Sequence, residues 1–166
     1  MLNHSVPESI LIQIGDITVS FSLLESIIQL IVGSLISNNQ KIGQIVTSKL
    51  SFRFLLPIVI SLYLEKFGED DRFTVFKDLI GRAGRINEQR NQIIHSLWMV
   101  GDDSDYVSRI KGIAKVKSGL IFQNQEMSAG DIKTLVDEMK ELSQELQDFL
   151  VQIYLEDIDY YFPDKK

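Results

Sequence analysis

The sequence predicts a mainly α-helical fold: a bundle of four to five helices with a small β-hairpin ahead of a long C-terminal helix. Three observations carry this expectation. Apolar residues recur at intervals of three and four along most of the chain. The stretch 106–127 switches to alternation of period two. The composition, 45% hydrophobic and 24% charged over 166 residues, suits one folded domain with its own core rather than disorder. No repeat, linker or low-complexity tract divides the chain, so 1–166 reads as a single domain with 1–16 and 159–166 as peripheral tails.

The elements follow in order. Residues 1–16 read as extended, with the LIQI tetrapeptide as a short strand. Phe21, Leu24, Ile28, Ile31 and Leu35 form one apolar stripe, predicting a helix from about Thr18 to Ile36 that Asn38-Asn39 ends. A short helix is expected over Lys41–Val46. A longer one is expected over Ser51–Phe67, kinked at Pro57 and stopped by Gly68. Asp70 and Asp71 are good capping residues for a helix running from Asp71 to Leu97. Gly101 to Asp105 is a turn-rich loop. Tyr106–Met127 reads as the hairpin, turning at Ser118-Gly119. Ser128 and Asp131 resemble a capping box for a helix over Ala129–Asp157, whose core face is Ile132, Leu135, Met139, Leu142, Leu146, Phe149 and Ile153.

Composition also narrows the chemistry. There is no cysteine, which removes disulfides and thiolate metal sites, and with only two histidines a His-rich metal centre is not expected. No cofactor is expected either. The net charge of −6 gives no whole-protein basic field, so nucleic-acid binding needs a local basic patch. The N-terminus lacks a basic region typical of an export signal, and the apolar run Phe54–Leu64 is too short to span a bilayer. The segment Leu23–Ile36 contains Glu25 and Gln29 and reads as a core helix. A cytoplasmic protein without a membrane segment is expected.

One position breaks the pattern. In the predicted helix the core spacing runs Phe76, Leu79, Ala83, Ile86, position 90, Ile93 and Leu97, and position 90 is Arg90. A guanidinium in an apolar seam stays charged and needs a partner. Two partners are open: an internal carboxylate, with Glu25 the candidate, or a bound phosphate. Asn87 and Asn91 flank Arg90, and His95 follows Asn91 one turn on, on a shared face. Trp98, the only tryptophan, reads as a core anchor.

The string Arg90-Asn91, four residues after the arginine, then His95, late in a helix of a small bundle, resembles the R-x4-H motif of the HEPN superfamily. Asn after the Arg and an aromatic beyond the His, here Trp98, are similar to the family as well. In architecture the resemblance covers about residues 17–158. It implies metal-independent RNA cleavage through a 2′,3′-cyclic phosphate. His95 would be general acid or base, Arg90 would stabilise the phosphorane charge, and Asn91 would orient one of them. Glu25, Asn87 and Trp98 would support the site. It also implies a homodimer whose motifs face each other, and a role as a toxin or phage-defence effector, with an antitoxin protein as a further partner. A second implied reading is a non-catalytic dimer of the same type that binds RNA, nucleotide or a partner protein. Some members carry a tyrosine two residues after the His. Here that residue is Leu97, so regulation by nucleotide transfer to tyrosine does not carry over.

A local basic patch is present. Arg109, Lys111, Lys115 and Lys117 occupy odd positions, and on one regular strand they share a face. Arg82 and Arg85 lie one to two turns before Arg90. The six form a candidate RNA track. The alternative is an ordinary solvated strand face.

Overall fold

The computed structural model describes residues 6–37, 40–100, 106–115 and 119–161. It is mainly helical with a three-stranded antiparallel sheet, in the order α1 (Glu8–Ile36), α2 (Gln40–Thr47), α3 (Phe52–Phe67), α4 (Phe73–Ile94), β1 (Leu97–Val100), β2 (Tyr106–Lys115), β3 (Gly119–Ser128) and α5 (Ala129–Tyr161).

The N-terminal expectation was wrong. Residues 8–16 are helix, not strand, and α1 begins ten residues before Thr18. Ile10, Ile14 and Ile17 extend the stripe of Phe21 upstream at helical spacing. Ile10 and Ile17 are fully buried and Ile14 packs against the core. The apparent alternation of LIQI is this face seen over too short a window. Pro7 sits at the N-cap, where its missing N–H costs no helical hydrogen bond, and its carbonyl accepts from Ile10 and Leu11 N–H.

The long helices α1 and α5 pack along one another, and α3 and α4 complete the bundle around them. All seven predicted core residues of α5 and all five of α1 are buried. Tyr63 of α3 is fully buried among Phe67, Phe73, Phe76 and Phe149. Its hydroxyl donates to Asp70 Oδ1 at 2.8 Å, which satisfies the one polar atom that ring brings inside. At the α1–α2 crossing a Cβ added to Gly43 would lie 2.5 Å from Gly33 Cα, so glycine permits the backbones to touch.

Helix α4 is shorter than predicted at both ends. Its N-cap is Arg72 with no side-chain capping bond. Asp70 accepts the Arg72 N–H at 3.2 Å and holds the Arg72 guanidinium. At the far end the helix stops at Ile94, with His95 as C-cap, and Leu97 and Trp98 belong to β1. No glycine or proline marks this stop in sequence. Pairing of Leu97 with Ile110 and Trp98 with Arg109 takes the chain into the sheet instead. The hairpin was expected; the third strand, β1, was not.

Among the described residues the sheet enters the core at its root, through Val107 and Met127, which are cross-strand partners. Beyond them β3 is exposed along its length. Ser128 and Asp131 form the expected capping box. The Asp131 carboxylate accepts from Ser128 N–H and Oγ–H at 2.8 Å, and Asp131 N–H donates to Ser128 Oγ at 3.2 Å.

Helix α1 is long and apolar enough to cross a membrane by length and composition alone. Over half of that apolar window is buried inside the bundle, a packing compatible with a soluble protein.

Candidate functional site

Arg90 sits on the side of α4 that meets α1, half-buried between buried Ile86 and buried Ile93. Its environment departs from the expected one. The guanidinium lies over the ring of Phe21, 4.8 Å from the centroid, and Phe21 in turn packs on Phe52 at 4.7 Å. Nη1 donates to Asn91 Oδ1 at 2.9 Å, and Asn91 Nδ2 donates to Asn87 Oδ1 at 3.3 Å. Nε is enclosed and has no acceptor. Glu25 does not pair with it: among the described residues no carboxylate lies within ion-pair distance of Arg90. An aromatic face is worth roughly 0.5–2 kcal/mol to a cation, which offsets only part of the cost of taking a charge from water. Arg90 is thus a cation held by a neutral cradle of one ring and two amides.

Asn91 and Asn87 are the cradle's edge, so the helical spacing had grouped them correctly. Phe21 was missed as a partner, although it stands one turn before Glu25 on the same stripe of α1.

His95 is exposed at the C-cap; its backbone N–H donates to the Asn91 carbonyl at 3.2 Å, and the Ser96 N–H to the Ile93 carbonyl at 3.5 Å. Around the axis it leaves about 140° from Arg90 at roughly 100° per residue. Among the described residues no hydrogen bond joins the two side chains. Asn91 lies between them in angle, and its side chain bonds to Arg90 and Asn87. Within one chain, then, the motif presents an oriented guanidinium and a free-standing imidazole on neighbouring sides of one helix end.

Trp98 Nε1 donates to the Ile93 carbonyl at 3.2 Å, and the ring packs against the core. It ties β1 to the last turn of α4, satisfying one of the orphan carbonyls of a helix end. This fixes the chain on both sides of His95. Ser96 Oγ donates to the Gln92 carbonyl and does the same for the next residue.

The described members of the proposed track stand in different settings. Arg82 is bound through Nη1 to both oxygens of Glu145, at 2.7 and 2.8 Å. Arg85 is exposed and lines a cleft of about 410 Å³ between α4 and α5, opposite Glu138 and Glu141. That cleft is of mixed sign, so this pair adds little net positive field. Arg109, Lys111 and Lys115 take alternate positions of β2, opposite Gln125, Gln123 and Gly119. Lys117 lies outside the described residues.

Arg109 is held by two side-chain amides. Nη2 donates to Gln125 Oε1 and, at 3.5 Å, to Gln92 Oε1 of α4. Burial pulls its pKa below the usual arginine value. Together with Gln89, Gln92 and Gln125 it lines a second cleft, of about 170 Å³, at the junction of α4, the sheet and α5. Neither cleft is lined by Arg90 or His95. Among the described residues no three His, Asp or Glu side chains group as metal ligands.

Comparison with protein-family models, with curated proteins and with solved structures finds no match to this chain.

Proposed function

We propose that the protein is a metal-independent endoribonuclease of the HEPN type, working as a homodimer in the cytoplasm. The observation that carries this reading is Arg90: a seam arginine that no described carboxylate neutralises, aimed by Asn91, five residues before an exposed His95. A structural arginine would be expected to hold an internal acid; this one keeps its charge available to an external anion.

The chemistry is a transesterification within RNA. The ribose 2′-oxygen attacks the adjacent phosphorus, forming O2′–P and breaking P–O5′. One imidazole takes the 2′ proton and a second protonates the leaving 5′-oxygen. Arg90 stabilises the charge that builds on the phosphorane oxygens. Each chain supplies one histidine at this site, so two copies facing each other would provide both proton-transfer groups. The angular gap between Arg90 and His95 favours such a composite site, in which groups from two helix ends meet one phosphate. The basic positions of β2 would contact flanking backbone. A toxin or defence role, held in check by an antitoxin protein, is the setting this activity implies.

The test is incubation of wild type and His95→Ala with total RNA in EDTA. Wild type is expected to cleave and the variant is not. Absence of cleavage by wild type under every condition would replace this reading with that of a non-catalytic dimer that binds RNA, nucleotide or protein.

A further inference from the structure

The Arg109 cleft has a donor inventory out of balance with its acceptors. Arg109 Nε and Nη1 are screened from solvent and have no acceptor among the described residues. Its remaining contacts are to neutral amide oxygens, and among the described residues no carboxylate pairs with it. Gln92 and Gln125 turn their oxygens to Arg109, which leaves both NH₂ ends as donors. Gln89 lies on the same wall, and Met127 and Leu135 contribute apolar surface. Among the described lining residues the one acid is Asp131, whose Oδ2 is already engaged by Ser128.

A desolvated guanidinium without an anion is costly, and an enclosed donor lacking an acceptor adds to that cost. A tetrahedral oxyanion would meet this need, accepting from the guanidinium and from two amide NH₂ groups at once. The volume of about 170 Å³ admits a phosphate with part of an attached sugar. The cleft's position is informative too. Gln92 precedes His95 by three residues on α4, so the two lie about one turn apart on adjoining faces. Arg90 leaves the helix on the far side.

We propose that Arg109, Gln92 and Gln125 form a phosphate-binding subsite for a backbone phosphate of RNA next to the one cleaved at His95. The RNA identity rests on the ribonuclease reading; the phosphate chemistry does not. Arg109 is on this account a positioning residue, acting on substrate placement rather than on the bond that breaks.

The experiment follows the side-chain amide resonances of Gln92 and Gln125 in ¹⁵N-labelled protein. Inorganic phosphate is titrated in one arm and a short RNA oligonucleotide in another, at ionic strength fixed with chloride. Saturable shifts of both amides are expected in both arms. Arg109→Gln should weaken each response at least tenfold, and Asp131→Asn, which lifts an opposing charge, should tighten it two- to fivefold. If Arg109→Gln does not fold, the wild-type shifts and the Asp131→Asn change decide. No saturable shift with phosphate, or unchanged affinity in folded Arg109→Gln, overturns the subsite. A response to free phosphate without one to RNA overturns its assignment to the RNA backbone. A response in both arms alongside no RNA cleavage by wild type would retain the subsite and overturn the ribonuclease reading instead.

Discussion

At the scale of single residues, the proposed reading gives Arg90 a part in function rather than in stability. Its charge is held by Phe21, Asn91 and Asn87 rather than by an acid, so the fold gains little from it. Replacing a poorly compensated half-buried cation by an apolar side chain of similar reach is often neutral or stabilising. Arg90→Met is therefore expected to melt within about 1 kcal/mol of wild type, or above it, while losing RNA cleavage. Chemical denaturation checks the first part. A loss of several kcal/mol would show that the arginine is structural. Trp98 is the opposite case. Trp98→Phe removes the donor to the Ile93 carbonyl and should cost about 1 kcal/mol. The anomaly of Arg90 was legible because helical spacing reserves position 90 for an apolar residue. Its partner was not, since spacing along one helix cannot say which ring on another helix lies opposite.

At the scale of elements, the periodic faces of α1, α4 and α5 were readable and their ends were not. A face is set by spacing over many turns, whereas the stop of α4 at Ile94 is set by pairing of β1 with β2, some ten residues further on. Two element junctions give measurable consequences. At the α1–α2 crossing, Gly43→Ala forces a Cβ against the Gly33 backbone and should destabilise by about 1–3 kcal/mol. Thermal unfolding reads this directly, and an unchanged midpoint would mean the crossing is looser. At the start of α5, the Ser128 N–H and hydroxyl hold the Asp131 carboxyl below its ordinary value. At Asp70 burial pushes the pKa up, but the Arg72 and Tyr63 hydrogen bonds outweigh it and leave that carboxyl lowered as well. A depressed carboxylate stabilises the fold above its unfolded pKa, and that contribution fades as pH falls through the folded value. Stability should therefore drop on acidification below about pH 4. Asp131→Asn, which keeps an acceptor but does not titrate, should flatten that drop.

At the scale of the molecule, charge and apolar surface are unevenly distributed. Four of the 17 basic residues but one of the 23 acidic ones fall within 106–128, so the hairpin is basic on an acidic body. Helix α1 exposes Ile12, Val19 and Leu23 at helical spacing, with Val19 72% exposed. If this stripe is the dimer face, Val19→Glu should shift the protein to monomer in light-scattering chromatography and abolish cleavage with the fold intact. A dimer that survives the change places the interface elsewhere. The bundle and its hairpin were readable from composition and periodicity. How α4, the sheet and α5 converge on the Arg109 cleft was not, because it depends on residues 89, 92, 109 and 125 meeting across three elements. On the proposed reading the RNA's own 2′-oxygen is the nucleophile, with His95 and Arg90 serving it. End-group analysis of a defined oligoribonucleotide cut in EDTA tests this most directly. The account predicts 2′,3′-cyclic phosphate on the upstream fragment and 5′-hydroxyl on the downstream one, with neither formed by His95→Ala. Fragments ending in 3′-hydroxyl and 5′-phosphate, or equal cutting by His95→Ala, would contradict it.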